Sequence, residues 1–192
     1  LTGTSAPNSG RATVCSLSPQ AHPYEWFSYS SVGGYWGAML KYAGYDGLIV
    51  TGRAAHPTIL AIQDDQVLFH PAGSIWGTDA LTANARVKAE LDAPEARVVT
   101  IGPAGENQVG FALISCEYNR QAGRGGAGAV MGAKNLKAIA VTGRRLVRVH
   151  DPVAFDAACR RAAADIAAND ACSALTDSGT SNAVPWSNTV GT

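Results

Sequence analysis

The chain has 192 residues, with 15 Lys and Arg balanced by 15 Asp and Glu, so it lacks the basic excess of a general nucleic-acid binder. No run of about 18 apolar residues occurs, which excludes a spanning helix. Its four cysteines, Cys15, Cys116, Cys159 and Cys172, form no C-x-x-C pair, so no zinc or iron–sulfur ligand set is visible and free, buried thiols are expected.

In chain order, the β-branched stretch "ATVCSL", 12–17, follows the turn "APNSG" and reads as a strand. Residues 34–43 suit a short helix stopping at Gly44, and "GLIVTG", 47–52, a short apolar strand. "TILAIQ", 58–63, and the alternating "QVLFH", 66–70, flank Asp64 and Asp65, which predicts a hairpin. Asp79 is placed to cap a helix running to about Leu91, with Ala80, Ala83, Val87 and Leu91 at helical spacing. Strands follow at 97–102 and 109–115, then a short helix near 126–134 and a strand at 136–143. Asp151 and Pro152 open a helix as N-cap and first residue, with Phe155, Ala158, Cys159, Ala162 and Ile166 on one face. Beyond Asn169 no element is legible. The first residue is Leu, not Met, and the end is polar and unpunctuated, so both ends read as cuts and any targeting segment lies outside the reading.

The chain repeats itself. Sliding residues 33–53 onto 124–144 matches seven of 21 positions: Gly34 with Gly125, Gly37 with Gly128, Ala38 with Ala129, and all four residues of "VTGR". Both copies run from a glycine-rich turn through a short helix to an apolar strand, each after a strand near a cysteine. This predicts an α+β fold of two related β-sheet halves with short helices, an internal duplication.

The glycines carry the functional question. A glycine turn entering a helix exposes N–H groups suited to phosphate, and arginine adds a forked, permanent cation. "YNRQAGRGGAG" holds all three elements. One reading is a phosphate-bearing ligand. The other is close packing of helix on sheet, with Arg120 and Arg124 solvated or paired to carboxylates. The stretch alone does not choose between them. Gly123, Gly125 and Gly128 satisfy G-x-G-x-x-G, yet seven residues separate them from the preceding strand and the next strand ends "TGRR" without an acidic residue, so a nicotinamide-dinucleotide domain is the weaker alternative. No Walker A motif occurs. "LTGTSAPNSGR" and "SSVGGYWG" offer two further turns of the same kind.

Five blocks in order, "LTGTSAPNSGR", "GGYWGAMLKYAGYDGLIVTGRA", "SIWGTDALTA", "IGPAGENQVGFALI" and "RQAGRGGAGAVMGAKNLKAIAV", resemble the N-terminal domain of the tungsten-containing aldehyde ferredoxin oxidoreductases. The resemblance covers about residues 1–150 and implies a base domain that cradles a bis-pterin cofactor, tungstopterin (tungsten or molybdenum), with magnesium bridging the pterin phosphates. Residues 151–192 would begin a following helical domain. Carried over position by position, the pterin contacts fall on Arg11, Ser31, Gly33, Arg120, Gln121 and Gly123. Arg11 and Arg120 would be the cations, one from each half, and main-chain groups of Gly33, Gln121 and Gly123 would supply the rest. No residue is assigned a catalytic or metal-ligating role. His22, His56, His70 and His150 match no metal spacing and read as surface or hairpin residues.

Two departures mark this chain. Ser31 stands where the family has asparagine, followed by Val32, and the stretch before it is long and rich in Tyr24, Trp26, Phe27 and Tyr29, which read as packing or as a reshaped approach to the substrate. The resemblance further implies a 4Fe-4S cluster and acid–base residues farther along a longer chain, a small aldehyde as substrate, ferredoxin as electron acceptor, a homodimer as a partner state, and the cytoplasm as location. A related subunit reducing aromatic acyl thioesters, and a non-catalytic pterin-binding or assembly fragment, stay open as alternatives.

Overall fold

In a computed structural model the described residues are 1–21, 23–24 and 26–191, and they form two compact units. The first takes residues 1–4 and 8–147 and the second residues 5–7 and 148–191. His22 lies outside the described residues.

The first unit is α+β, with two sheets. The smaller is an antiparallel hairpin of β1 (Ala12–Leu17) and β2 (Phe27–Val32), in register from Ala12 opposite Val32 to Leu17 opposite Phe27. The larger has six strands in the order β4-β3-β8-β5-β6-β7, formed by β3 (Thr58–Gln63), β4 (Gln66–Pro71), β5 (Arg97–Thr100), β6 (Ile114–Cys116), β7 (Arg120–Ala122) and β8 (Leu136–Thr142). Only β3 and β8 pair in parallel. Strand β8 is central, so its run "LKAIAV" is buried on both faces. A continuous apolar strand needs partners on both sides, and β3 and β5 supply them.

Side-chain alternation sends the sheet's apolar residues to two layers. Leu60, Ile62, Val99, Ile139 and Val141 join α1 (Trp36–Ala43) and α4 (Ala127–Ala133) through Leu40, Ala43 and Met131, and Val32 and Val14 of the hairpin pack on the same cluster. Ile59, Val98, Ala138 and Ala140 face α2 (Ala80–Glu90) through Ala83 and Val87. Each such Ile or Val, fully withdrawn from water, contributes about 1.5–3 kcal/mol. Asp79 caps α2 as expected, accepting the Leu81 and Thr82 N–H groups at 2.9 and 3.0 Å. The turn between β3 and β4 is the Asp64 and Asp65 pair, with Asp64 at φ +52°.

The sequence expectations fail in three places. Residues 47–52 form no strand: Ile49 is 90% exposed and the segment has no ladder partner among the described residues, and a lone strand has nothing to stabilise it. The expected strand at 109–115 shrinks to β6, because residues 109–112 turn, with the Ala112 N–H donating to the Val109 carbonyl at 2.8 Å. Strands β2 and β7 were not expected, and the aromatic-rich stretch supplies β2. The cysteines are free; Cys116 and Cys159 are buried, but Cys15 is exposed on the hairpin.

The second unit is helical: α5 (Pro152–Ala167), capped by Asp151 onto the Ala154 N–H at 2.9 Å, then α6 (Asp170–Ser178) capped by Asn169, a 3₁₀ turn and α7 (Ala183–Val190). No helix among the described residues is long and apolar enough to cross a membrane.

Candidate functional site

The glycine cluster divides into two kinds of position. A Cβ on Gly132 would lie 1.9 Å from the Gly105 carbonyl oxygen, one on Gly128 2.3 Å from that of Leu113, one on Gly126 2.1 Å from that of Gly110, and one on Gly125 2.1 Å from Ser28 Oγ. These four glycines let α4 lie on α3 (Pro103–Glu106), on the chain before β6 and on β2. Gly125 and Gly126 also hold φ of +82° and +71°. The close-packing reading therefore holds for residues 125–132. It does not hold for Gly123, where a Cβ would meet nothing within 4 Å.

The helix ends are also occupied by the protein itself. The Gly128 N–H donates to the Ala112 carbonyl at 2.9 Å. At the start of α1, which has no side-chain cap of its own, the Tyr35 N–H donates to Glu117 Oε1 at 3.1 Å. Of the two readings left open for these turns, the Gly128 and Tyr35 N–H groups follow the packing one, since both are spent inside the fold.

What stays open is the edge where the hairpin meets β7. A Cβ on Gly33, the residue after β2, would lie 3.6 Å from Arg120 Cδ, so the end of β2 and the start of β7 are neighbours. The Arg124 N–H donates to Ser30 Oγ at 3.4 Å, joining the loop after β7 to the inner face of β2. On β2 the alternation turns Ser28, Ser30 and Val32 inward, while Phe27, Tyr29 and Ser31 face out. Arg11 adjoins Ala12, which pairs with Val32, so the register brings Arg11 to the same end of the hairpin. Arg11, Ser31, Arg120, Gln121 and Gly123 are all exposed. The Gln121 side chain accepts from Ser115 Oγ at 2.8 Å, which leaves its main chain rather than its amide oxygen for other use. Among the described residues, Arg11, Arg120 and Arg124 form no ion pair. Unneutralised guanidinium groups beside an open glycine suit an anionic ligand.

Next to this edge sit residues with no individual sequence signal. Glu117 occupies the turn between β6 and β7 at φ +56°, and Arg97 Nη1 stands 3.5 Å from its Oε1. The Arg97 guanidinium lies over the Tyr35 ring, 5.0 Å from its centre. Burial pushes the Cys116 thiol up to about 11, and the Glu117 charge adds to this, against the Trp36 N–H and the charges of Arg97 and Arg120. Cys116 is therefore a neutral thiol at neutral pH. One hint was available: "GGYWGAMLKYAG" opens a helix without Ser, Thr, Asp or Asn at its start, so its first N–H groups had to find acceptors elsewhere.

A separate cleft of about 560 Å³ is lined by Val14, Leu40, Val50, Met131 and Ile139 among others, and Arg11 alone of the candidate residues borders it. Its walls are largely apolar, with Arg11, Lys41 and Lys134 among them. His56 and His150 are exposed and His70 lies in β4. No group of three or more His, Cys, Asp or Glu able to hold a metal exists among the described residues.

The dinucleotide alternative meets a different topology here. Its fingerprint needs a parallel strand, glycine turn and helix, but α4 follows an antiparallel edge strand, and Gly125 and Gly128 face Ser28 and the Leu113 carbonyl at packing distance.

The described residues form an α+β domain with unpaired arginines and open main chain along one edge, chemistry that suits an anionic ligand. The family model for the aldehyde ferredoxin oxidoreductase N-terminal domain matches residues 1–143, and the chain belongs to that family. It is 44% identical over 155 residues to the tungsten-containing aldehyde ferredoxin oxidoreductases of Pyrococcus furiosus and of Pyrococcus abyssi, an alignment that takes in 81% of this chain and 25% of each relative. It is 40% identical over 119 residues to an aliphatic sulfonate oxidoreductase WOR-like subunit of P. furiosus, covering 56% of this chain and 19% of that one. Among solved structures, the BamBC active-site complex of benzoyl coenzyme A reductase superposes with a TM-score of 0.81 at 38% identity, over 85% of this chain and 24% of that chain. The chain thus spans about a quarter of the length of the relatives it matches.

Proposed function

We propose that this chain is the cofactor-holding part of a tungsten or molybdenum bis-pterin oxidoreductase that oxidises aldehydes to carboxylic acids. The single observation that carries the reading is the junction of Gly33 with Arg120 beside the open main chain at Gly123, with no carboxylate neutralising Arg120 among the described residues. These residues fit a phosphate-bearing group: a fixed cation, a second cation at Arg11 on the facing hairpin, and backbone that a ligand can approach without meeting a Cβ.

When bound, the metal–pterin group supplies the two-electron redox chemistry; aldehyde and water become carboxylic acid, two protons and two electrons. The chain's own residues bind and orient it. Arg11 and Arg120 would balance the charge of the pterin phosphates together with the magnesium bound there. Main-chain groups at Gly33, Gln121 and Gly123 fix its position, and the Ser31 hydroxyl reaches less far than the family's asparagine. The 4Fe-4S cluster and the groups that move protons belong to the rest of a longer protein, which passes its electrons to ferredoxin.

Residues 1–150 form the tungstopterin-binding domain in this reading, and 151–192 begin a helical domain. An internal duplication underlies the first, supported by the recurrence of hairpin, glycines and short helix: β1, β2 and α1, then β6, β7 and α4. A homodimer and a cytoplasmic location complete the proposal. Reduction of an aromatic acyl thioester is the second reading, favoured by the likeness to the benzoyl coenzyme A reductase complex. Assays of the full-length protein with aldehydes and with aromatic acyl thioesters separate the two.

The test of the binding site is Arg120→Ala in the full-length protein. Tungsten and pterin per polypeptide should fall together, because the phosphate loses a charge-assisted partner. Wild-type content of both would remove Arg120 from the site.

A further inference from the structure

The edge that holds Gly33 beside Arg120 has to be kept in register by something other than the hairpin ladder, since β1 and β2 pair only with each other. Besides Ser30 Oγ, which accepts from the Arg124 N–H, the Glu117 side chain spans the gap. Glu117 Oε1 accepts the Tyr35 N–H at 3.1 Å, and Oε2 lies 3.0 Å from where a Cβ on Gly34 would stand. The carboxylate therefore rests directly on the turn at residues 33–35, which Gly34 enters at φ +89°. Glu117 is itself anchored from behind: its N–H donates to the Val98 carbonyl at 2.9 Å, and its carbonyl accepts from Asn84 Nδ2 at 3.2 Å, with Asn84 fully buried in α2. A non-glycine residue in the left-handed region that is fixed this firmly signals a positional requirement.

The same carboxylate sits three residues from Arg120 in the chain, but the arginine that engages it is Arg97. Its Nη1 stands 3.5 Å from Glu117 Oε1, and its guanidinium is stacked on the Tyr35 ring, so the carboxylate is engaged by an arginine of β5 and by a helix N–H. Arg120 has no ion-pair partner among the described residues.

We propose that Glu117 is a positioning residue that docks the Gly33 turn onto the Arg120 strand, and that Arg97 keeps its carboxylate off Arg120, so that main chain from one hairpin and a free guanidinium from the other meet the same phosphate group. The inference rests on the site proposed above. In this role Glu117 holds the residue that opens α1 from 82 residues away and thereby sets the spacing of the two groups that meet the phosphate.

The experiment uses the full-length protein, with tungsten and pterin per polypeptide measured after purification and a melting curve for each variant. Glu117→Ala should lower both contents about tenfold, the scale of one lost hydrogen bond to a charged group. Glu117→Gln should restore most of the content, because its amide oxygen still accepts the Tyr35 N–H. The double variant Glu117→Ala with Arg120→Ala should lose less than the product of the two single losses, since both act on the same phosphate group. Should Glu117→Ala fail to fold, Arg97→Gln serves instead. It frees the carboxylate to pair with Arg120 and should lower cofactor content with little change in melting. If Arg120→Ala loses cofactor while Glu117→Ala, or Arg97→Gln in its place, keeps it, the positioning role is wrong and the site stands. If Arg120→Ala keeps cofactor, the site falls and the role of Glu117 with it.

Discussion

The two regions that share "VTGR" start from similar sequence and reach different ends. Residues 138–144 carry β8 into the middle of a six-stranded sheet, with β3 on one side and β5 on the other. Residues 47–53 find no strand partner among the described residues, and Ile49 is left 90% exposed. The difference teaches that an apolar, β-branched run becomes a strand only where neighbours supply its ladder and cover its faces. It extends to the charges. Lys137 of β8 is fully buried, donating to the Thr78 and Ile101 carbonyls at 3.0 and 2.7 Å and forming a short ion pair with Glu106. At the aligned position of the first segment, Asp46 pairs with Lys41 at the surface.

The largest expected contrast is at that pair of positions. Lys137→Met leaves Glu106 buried without its cation and should cost about 3–5 kcal/mol. Asp46→Asn should leave the melting temperature of the chain unchanged within error, since the pair is solvated. Equal shifts in the two melting curves would show that the two segments are held alike.

Next come the glycines. Gly132→Ala places a Cβ 1.9 Å from the Gly105 carbonyl oxygen, so overpacking should cost about 1–3 kcal/mol or more. Gly123→Ala enters open space and should leave melting unchanged while lowering tungsten and pterin content in the full-length protein. If both act only on stability, Gly123 is not part of a ligand edge.

The smallest effect concerns the arginines that close each "VTGR". Arg144 donates to Asp64 through its side chain and main chain, which holds the Asp64 carboxyl below the usual carboxylate range. A depressed carboxyl stabilises above its unfolded value, near pH 4, and that stability is lost as pH falls through the lowered folded value. Arg53 instead reaches neutral Asn135 at 3.4 Å. Acid titration of Arg144→Gln should therefore lose part of the stability drop below about pH 4, and Arg53→Gln should not. A matching response from both would remove the distinction.

Much of the frame was legible because local rules and tertiary neighbours agree. The alternation in 66–70 with the Asp64 and Asp65 turn gives β3 and β4, and Asp79 marks the start of α2. Strand β7 was missed because three residues of "RQA" carry no period, and β2 because Ser and aromatic residues alternate with their large apolar side exposed. Residues 47–52 were misread because the sequence shows a strand's composition but not its partners. For the site, Arg11, Ser31, Gly33, Arg120, Gln121 and Gly123 came from resemblance. That Gly123 is open while Gly125, Gly126, Gly128 and Gly132 are packed depends on atoms up to about a hundred residues away, which no spacing rule reports. Glu117 was invisible for the same reason: its work is done on the backbone of Tyr35.

The most direct measurement is a crystal structure of the full-length protein with its cofactor bound. The expected result is a pterin phosphate oxygen within about 3 Å of an Arg120 guanidinium nitrogen, with main chain at Gly33 or Gly123 approaching the same group. A cofactor seated elsewhere, with Arg120 in solvent or paired to a carboxylate, would contradict the assignment of this edge as the site.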